Sequence, residues 1–89
     1  MELGLADRVA LVTGSWRGTG AGIARMLAAE GAVVLVHGLE SGSAEEVVAS
    51  IIATGGRAHA VAGDIRTDEG TAELVRSVRS VAERVDIIV

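Results

Sequence analysis

Gly14, Gly18 and Gly20 follow a short apolar run, Val9-Ala10-Leu11-Val12, and precede a stretch in which Ile23, Met26 and Leu27 recur at helical spacing until Gly31. Residues without a Cβ let an anion approach the backbone, and the start of a helix offers it unpaired N–H groups at the positive end of the helix dipole. The pattern therefore reads as a phosphate site. One glycine serves the turn out of the strand, one the contact with phosphate, and one the close packing of helix on sheet. A glycine triplet also marks ordinary tight turns, and it is the strand before it and the helix after it that make this one informative. Ser15, Trp16, Arg17 and Thr19 lie between the glycines. Arg17 offers a guanidinium for a further phosphate, or is a solvated loop residue. The Trp16 indole either flanks a planar base or covers the turn.

These residues need a scaffold. Val9–Val12 has the unbroken apolar character of a strand buried on both faces, and so has 32–36, which ends at His37-Gly38. Ser43 and Glu46 have the spacing of a capping box ahead of Val47, Val48, Ile51 and Ile52, which predicts a second helix from about Ala44 to Thr54. Gly55-Gly56 ends it, and His59 to Ala62 forms a third strand closed by Gly63-Asp64. Thr67 caps a third helix, with Asp68 and Glu69 near its positive end and a stripe of Leu74, Val75, Val78, Val81, Ala82 and Val85. Asp86 is a turn residue opening a fourth strand that runs to Val89. The alternation β-α-β-α-β-α-β with short connections predicts an α/β fold. It is one doubly wound parallel sheet with right-handed crossovers, a Rossmann-type unit over residues 1–89.

Composition narrows the function classes. The 89 residues carry a net charge of −4, and all of the basic residues are scattered Arg, which argues against nucleic-acid or anionic-membrane partners. No apolar run approaches the roughly 20 residues of a membrane-spanning helix. Met1 to Arg8 mixes acidic and basic residues and does not read as a secretory signal. The lack of Cys removes disulfides and thiolate chemistry, and no metal site is expected. These features fit a soluble cytoplasmic protein. The core must be aliphatic, because Phe and Tyr are absent and there is one Trp. The carboxylates of the second and third helices read as solvated faces, and His59, inside a strand, as structural.

The Thr-Gly-x-x-x-Gly-x-Gly spacing of Thr13 to Gly20 resembles the N-terminal signature of the short-chain dehydrogenase/reductase family. The likeness extends along the whole chain. It takes in the Leu5 approach to Val9-Ala10-Leu11-Val12-Thr13-Gly14, the Gly31-Ala32 approach to the second strand, and Gly63-Asp64-Ile65 at the end of the third. The ketoacyl-reductase-like branch is the most similar. The resemblance implies that Gly14, Ser15, Trp16, Arg17, Gly18, Thr19 and Gly20 hold the phosphates of a nicotinamide dinucleotide, and that Asp64 and Ile65 hold its adenine. Trp16 departs from the family's usual small or hydroxyl residue, and Thr19 from its usual Ile. Read on its own, Gly63-Asp64 is also ordinary turn chemistry.

His37 and Gly38 stand where an NAD-specific site carries Asp or Glu to accept from the ribose hydroxyls. With no carboxylate there, and with Arg17 beside the middle glycine, the expected cofactor is NADP(H). NAD(H) stays open because Leu39 replaces a second Arg found in NADP-preferring relatives and Glu40 could reach the ribose. His37 either contacts adenine or makes local hydrogen bonds. Family catalysis needs a Tyr, a Lys and a Ser, and the chain has neither Tyr nor Lys, so no catalytic residue is assigned. The expectation is the cofactor-binding part of a carbonyl reductase or alcohol dehydrogenase, truncated within its fourth strand. The alternatives are a nucleotide-binding module without turnover and an inactive fragment. A homo-oligomer is expected of the complete protein. For the isolated chain, the bare edge of the fourth strand predicts association or poor solubility.

Overall fold

The structure, a computed structural model, describes residues 5–89. Part of the N-terminal stretch read above for a signal, residues 1–4, lies outside the described residues. The elements follow the expected alternation: β1 (Val9–Val12), α1 (Gly18–Ala29), β2 (Val33–Gly38), α2 (Glu45–Ala53), β3 (Arg57–Ala62), α3 (Asp68–Val81) and β4 (Ile87–Ile88). They form one four-stranded sheet in the order β3-β2-β1-β4, and every pairing is parallel. The order reverses at β1, so the crevice at its C-terminal end is the place where open α/β sheets receive ligands.

Side chains alternate across the sheet. Val12, Val34 and Val36 face α1 and α2 and pack with Ala21, Ala24, Ala28, Val47, Val48 and Ile51. Leu11, Leu35 and Val61 face the other way and meet Leu74 of α3. Alanines on α1 let that helix lie close to the strands without aromatic residues. No helix among the described residues is long and apolar enough to cross a membrane.

Several boundaries differ from the sequence expectation. β2 runs on through His37 and Gly38, because both pair with β3, opposite Val61 and Ala62. β3 begins at Arg57, whose guanidinium bonds Gly31 O at 2.8 Å and meets Asp7 at 2.8 Å. The expected capping box does not form: Ala44 is the N-cap of α2 and makes no side-chain cap bond, while Ser43 Oγ accepts from the Glu40 N–H at 3.4 Å. Ser43 is drawn back toward the strand end, since a Cβ on Gly38 would lie 2.6 Å from Ser43 Cβ.

The expected α3 stripe is also narrower than its sequence pattern. Leu74 is buried, Val78 is partly so, and Val75 and Val81 remain 44% and 37% exposed. α3 ends at Val81, so Ala82 and Val85 pack from the segment beyond it. Asp86 does more than turn the chain. Its backbone N–H donates to Val9 O and its carboxylate accepts from the Val9 N–H, both at 2.8 Å, which ties the start of β4 to β1. That bond, reinforced by Arg84 and Arg8, holds the Asp86 carboxyl below the usual carboxylate range.

Candidate functional site

β1 delivers the chain to a turn that is bound at its base. Thr13 donates to Val89 O from both its N–H (3.0 Å) and its Oγ1 (2.9 Å). Gly14 and Gly18 then take φ of +63° and +60°, the left-handed region that costs an L-residue about 1–2 kcal/mol. Gly20 serves a different need: a Cβ there would lie 2.5 Å from Gly14 O and 2.9 Å from Ser15 Cα. The third glycine thus lets the first turn of α1 rest on the backbone of the loop.

α1 starts bare. Its N-cap, Arg17, is extended and makes no side-chain cap bond, and its first turn holds no acidic residue. Helix geometry leaves the N–H groups of Gly18, Thr19 and Gly20 without intrahelical acceptors. Gly14, Arg17, Gly18 and Thr19 are exposed. A backbone cradle with open donors, positive dipole and no side chain in the way fits a phosphate or pyrophosphate group.

Beneath the cradle lies a buried network. Ser15, fully buried, donates from Oγ to Val12 O at 2.5 Å and accepts from the His37 N–H at 2.9 Å. His37 is 1% exposed, its Nδ1 accepts from the Gly14 N–H at 2.9 Å, and its Nε2 lies 2.6 Å from Gly63 O. These are local hydrogen bonds, to Gly14, Ser15 and Gly63. Gly38 is likewise buried. Ser15, His37 and Gly38 sit under the turn, whereas the glycine backbone, Trp16, Arg17 and Thr19 form its rim.

On the rim the Arg17 guanidinium stands 4.3 Å from the centroid of the Trp16 ring, a cation–π arrangement. Both border a depression of about 380 Å³ between the starts of α1 and α2, whose other walls include Gly18, Arg25, Ser43 and Glu46. Asp64 and Ile65 reach the same end of the sheet through Gly63. Ile65 is 47% exposed. Asp64 is held by Arg66 through Nε to Oδ1 at 2.9 Å, Nη2 to Oδ2 at 2.8 Å and the backbone N–H to Oδ1 at 3.0 Å. These bonds lower the Asp64 carboxyl to about 2 and raise Arg66. Among the described residues no group of three or more His, Cys, Asp or Glu gathers around a metal position.

Two structural features at this end of the sheet escaped the sequence reading. One is the Ser15–His37 network, which joins residues far apart in the chain. The other is Gly70, where a Cβ would collide with Asp64 O, matching the fit of Gly20 on Gly14 O. A glycine at the third position of both helices was the available signal.

A family model described as short chain dehydrogenase matches residues 8–89. The 3-oxoacyl-[acyl-carrier-protein] reductase of Synechocystis is 40% identical over 86 residues, covering 96% of this chain and 35% of the relative. Among solved structures, a 3-oxoacyl (acyl-carrier-protein) reductase from Agrobacterium tumefaciens with NADP bound superposes with a TM-score of 0.83 at 45% identity, over 94% of this chain and 32% of that one. The L-sorbose reductase of Gluconobacter frateurii, complexed with NADPH and L-sorbose, gives a TM-score of 0.89 at 36% identity, over 99% of this chain and 34% of that one. The chain spans about a third of the length of the curated relatives it matches.

Proposed function

The chain belongs to the short-chain dehydrogenase family, and on that basis we propose that it is the NADP(H)-binding portion of an oxidoreductase that interconverts a carbonyl and an alcohol. The observation that carries the reading is the start of α1, where the Gly18, Thr19 and Gly20 amides lack intrahelical acceptors and the first turn has neither a capping side chain nor an acidic residue. Those amides would hold the pyrophosphate, with Gly14 and Gly18 keeping the surface clear of side chains. Arg17 would take the 2′-phosphate, and Trp16, Asp64 and Ile65 would border the adenosine. The bound nicotinamide would supply or accept the hydride.

The preference for the 2′-phosphate rests on charge. β2 ends in His37 and Gly38, so the strand end itself carries no carboxylate; Glu46 is the carboxylate that lines the same depression as Arg17. Arg17, already at the rim, offers a charge-assisted hydrogen bond worth about 1.5–3 kcal/mol, or roughly tenfold to a hundredfold in affinity. Glu40 is the residue that would favour the ribose diol of NAD(H).

With neither Tyr nor Lys, the residues of this chain bind and orient the dinucleotide but offer no phenol–ammonium pair for the proton transfer. The second reading is a nucleotide-binding module without turnover. Quenching of Trp16, the one Trp in the chain, reports binding directly. Saturable binding is expected with NADP⁺ tighter than NAD⁺, and Arg17→Ala should cost NADP⁺ about tenfold or more while leaving NAD⁺ within about twofold. Equal losses for both dinucleotides would remove Arg17 from the 2′-phosphate. No saturable binding of either would overturn the reading. NADPH oxidation with carbonyl substrates separates the reductase from the module.

A further inference from the structure

Among the described residues His37 is the one ionisable side chain fully enclosed at the phosphate end, and its hydrogen bonds fit one tautomer of the ring. Gly63 O can only accept, so Nε2 must carry a proton and donate to it. The Gly14 N–H can only donate, so Nδ1 must be unprotonated and accept. The ring is therefore a neutral imidazole wedged between the turn after β1 and the turn after β3. Its own backbone N–H is spent on Ser15 Oγ, which in turn bonds Val12 O. Gly14 takes left-handed φ, and its carbonyl supports the first turn of α1 at Gly20. The ring thus grips the residue on which the open amides of α1 rest.

We infer that His37 is a positioning residue of the phosphate cradle: the neutral Nε2–H ring anchors the Gly14 amide and holds the turn in the shape that receives the dinucleotide's phosphates. This rests on the dinucleotide-binding reading above. Protonating Nδ1 sets an N–H against the Gly14 N–H and breaks that anchor, while the bond to Gly63 O survives. The Gly14 amide must then turn toward solvent, and the cradle loses its register with the helix start.

From the β3 end Asp64 follows Gly63, whose carbonyl the ring bonds, and Arg66 holds both oxygens of that carboxylate. The turn contributes Arg17, exposed and stacked on Trp16. The loop after β2 contributes Glu40, and α3, packed over the same face, contributes Asp68, Glu69 and Glu73, all exposed. The Gly14 N–H and a proton compete for Nδ1. Because the dinucleotide selects the neutral form, its affinity must fall once the ring is protonated.

The test has two arms on the purified protein. In the first, without ligand, ¹⁵N NMR follows the His37 ring and the Gly14 amide between about pH 5 and 8. The expected result is a neutral ring with its proton on Nε2, and a Gly14 amide resonance that moves in step with the ring as it is protonated. In the second, NADP⁺ and NAD⁺ affinities are measured over the same range for the native protein and for His37→Asn. The native protein should bind NAD⁺ roughly two- to tenfold more weakly at the acid end, the scale of one neutral hydrogen bond, and His37→Asn should abolish that slope. The 2′-phosphate of NADP⁺ adds a slope of its own that is common to both proteins.

A Gly14 amide indifferent to ring protonation overturns the inference even if the variant does not fold. So does an unchanged NAD⁺ slope in a folded His37→Asn. If the Gly14 amide follows the ring but neither dinucleotide binds at any pH, the dinucleotide reading fails while the coupling of ring to turn stands.

Discussion

α1 and α3 begin at the same end of the sheet and are seated in the same way, with the glycine at the third position of each pressed onto the backbone of the turn before it. Gly20 rests on Gly14 O and Gly70 on Asp64 O, each so close that a Cβ would collide. There the likeness stops. α3 is closed by its own side chains: Thr67 Oγ1 accepts from the Gly70 N–H at 2.9 Å, and Asp68 and Glu69 sit in the first turn. α1 has no capping side chain and no acid. Of two helix starts built to one pattern, the one whose donors and dipole are left uncompensated is the one suited to an external anion. A tight glycine seat is a packing device, and binding capacity comes from what the first turn leaves unsatisfied.

Gly20→Ala and Gly70→Ala should each destabilise the protein by about 1–3 kcal/mol in chemical denaturation, because the clash is with backbone and outweighs the gain in helix propensity. Gly20→Ala should in addition weaken dinucleotide binding about tenfold or more under conditions where it is folded. If it loses stability and keeps full affinity, the seat and the cradle are separate features.

Removing the difference is a gentler perturbation. Thr67→Ala opens the α3 start and should cost about 1 kcal/mol of stability with dinucleotide affinity unchanged. A loss of affinity there would mean that the two helix starts are coupled. The reverse change, Thr19→Asp, places an acid on the exposed first turn of α1. It should raise stability by about 0.3–1 kcal/mol while weakening dinucleotide binding, opposite signs that only an anion site produces.

Acid should have the smallest effect, at the Asp64–Arg66 pair beneath α3. The Asp64 carboxyl is lowered from 3.8 to about 2 in the folded state. Its contribution is therefore complete above about pH 4 and is lost as the pH falls toward 2. The pair is exposed and salt-screened, so the slope should be shallow. Arg66→Ala should flatten it in an acid titration of the thermal midpoint, and an unchanged slope would assign the acid sensitivity to another carboxylate such as Asp86.

Much of this was legible in the chain. The order of elements, the strand β1 and the Thr67 cap follow from local periodicity and turn chemistry, which act over a few residues. The sequence misled where the answer depended on a partner elsewhere. Ser43 and Glu46 have capping-box spacing, yet Gly38 admits Ser43 to the strand end and the box does not form. Val75 and Val81 have the helical period of a core, yet α3 leaves them partly exposed.

By itself, then, the sequence determined the α/β alternation, the glycine turn at the end of β1 and the absence of Tyr and Lys, because residue type and spacing fix backbone freedom and chemical inventory. Only the tertiary structure decided which glycines front solvent and which lie under packing, and that His37 joins Gly14 to Gly63. Parallel pairing brings residues of distant chain position to one sheet end, and hydrogen bonds at that distance leave no trace in local spacing.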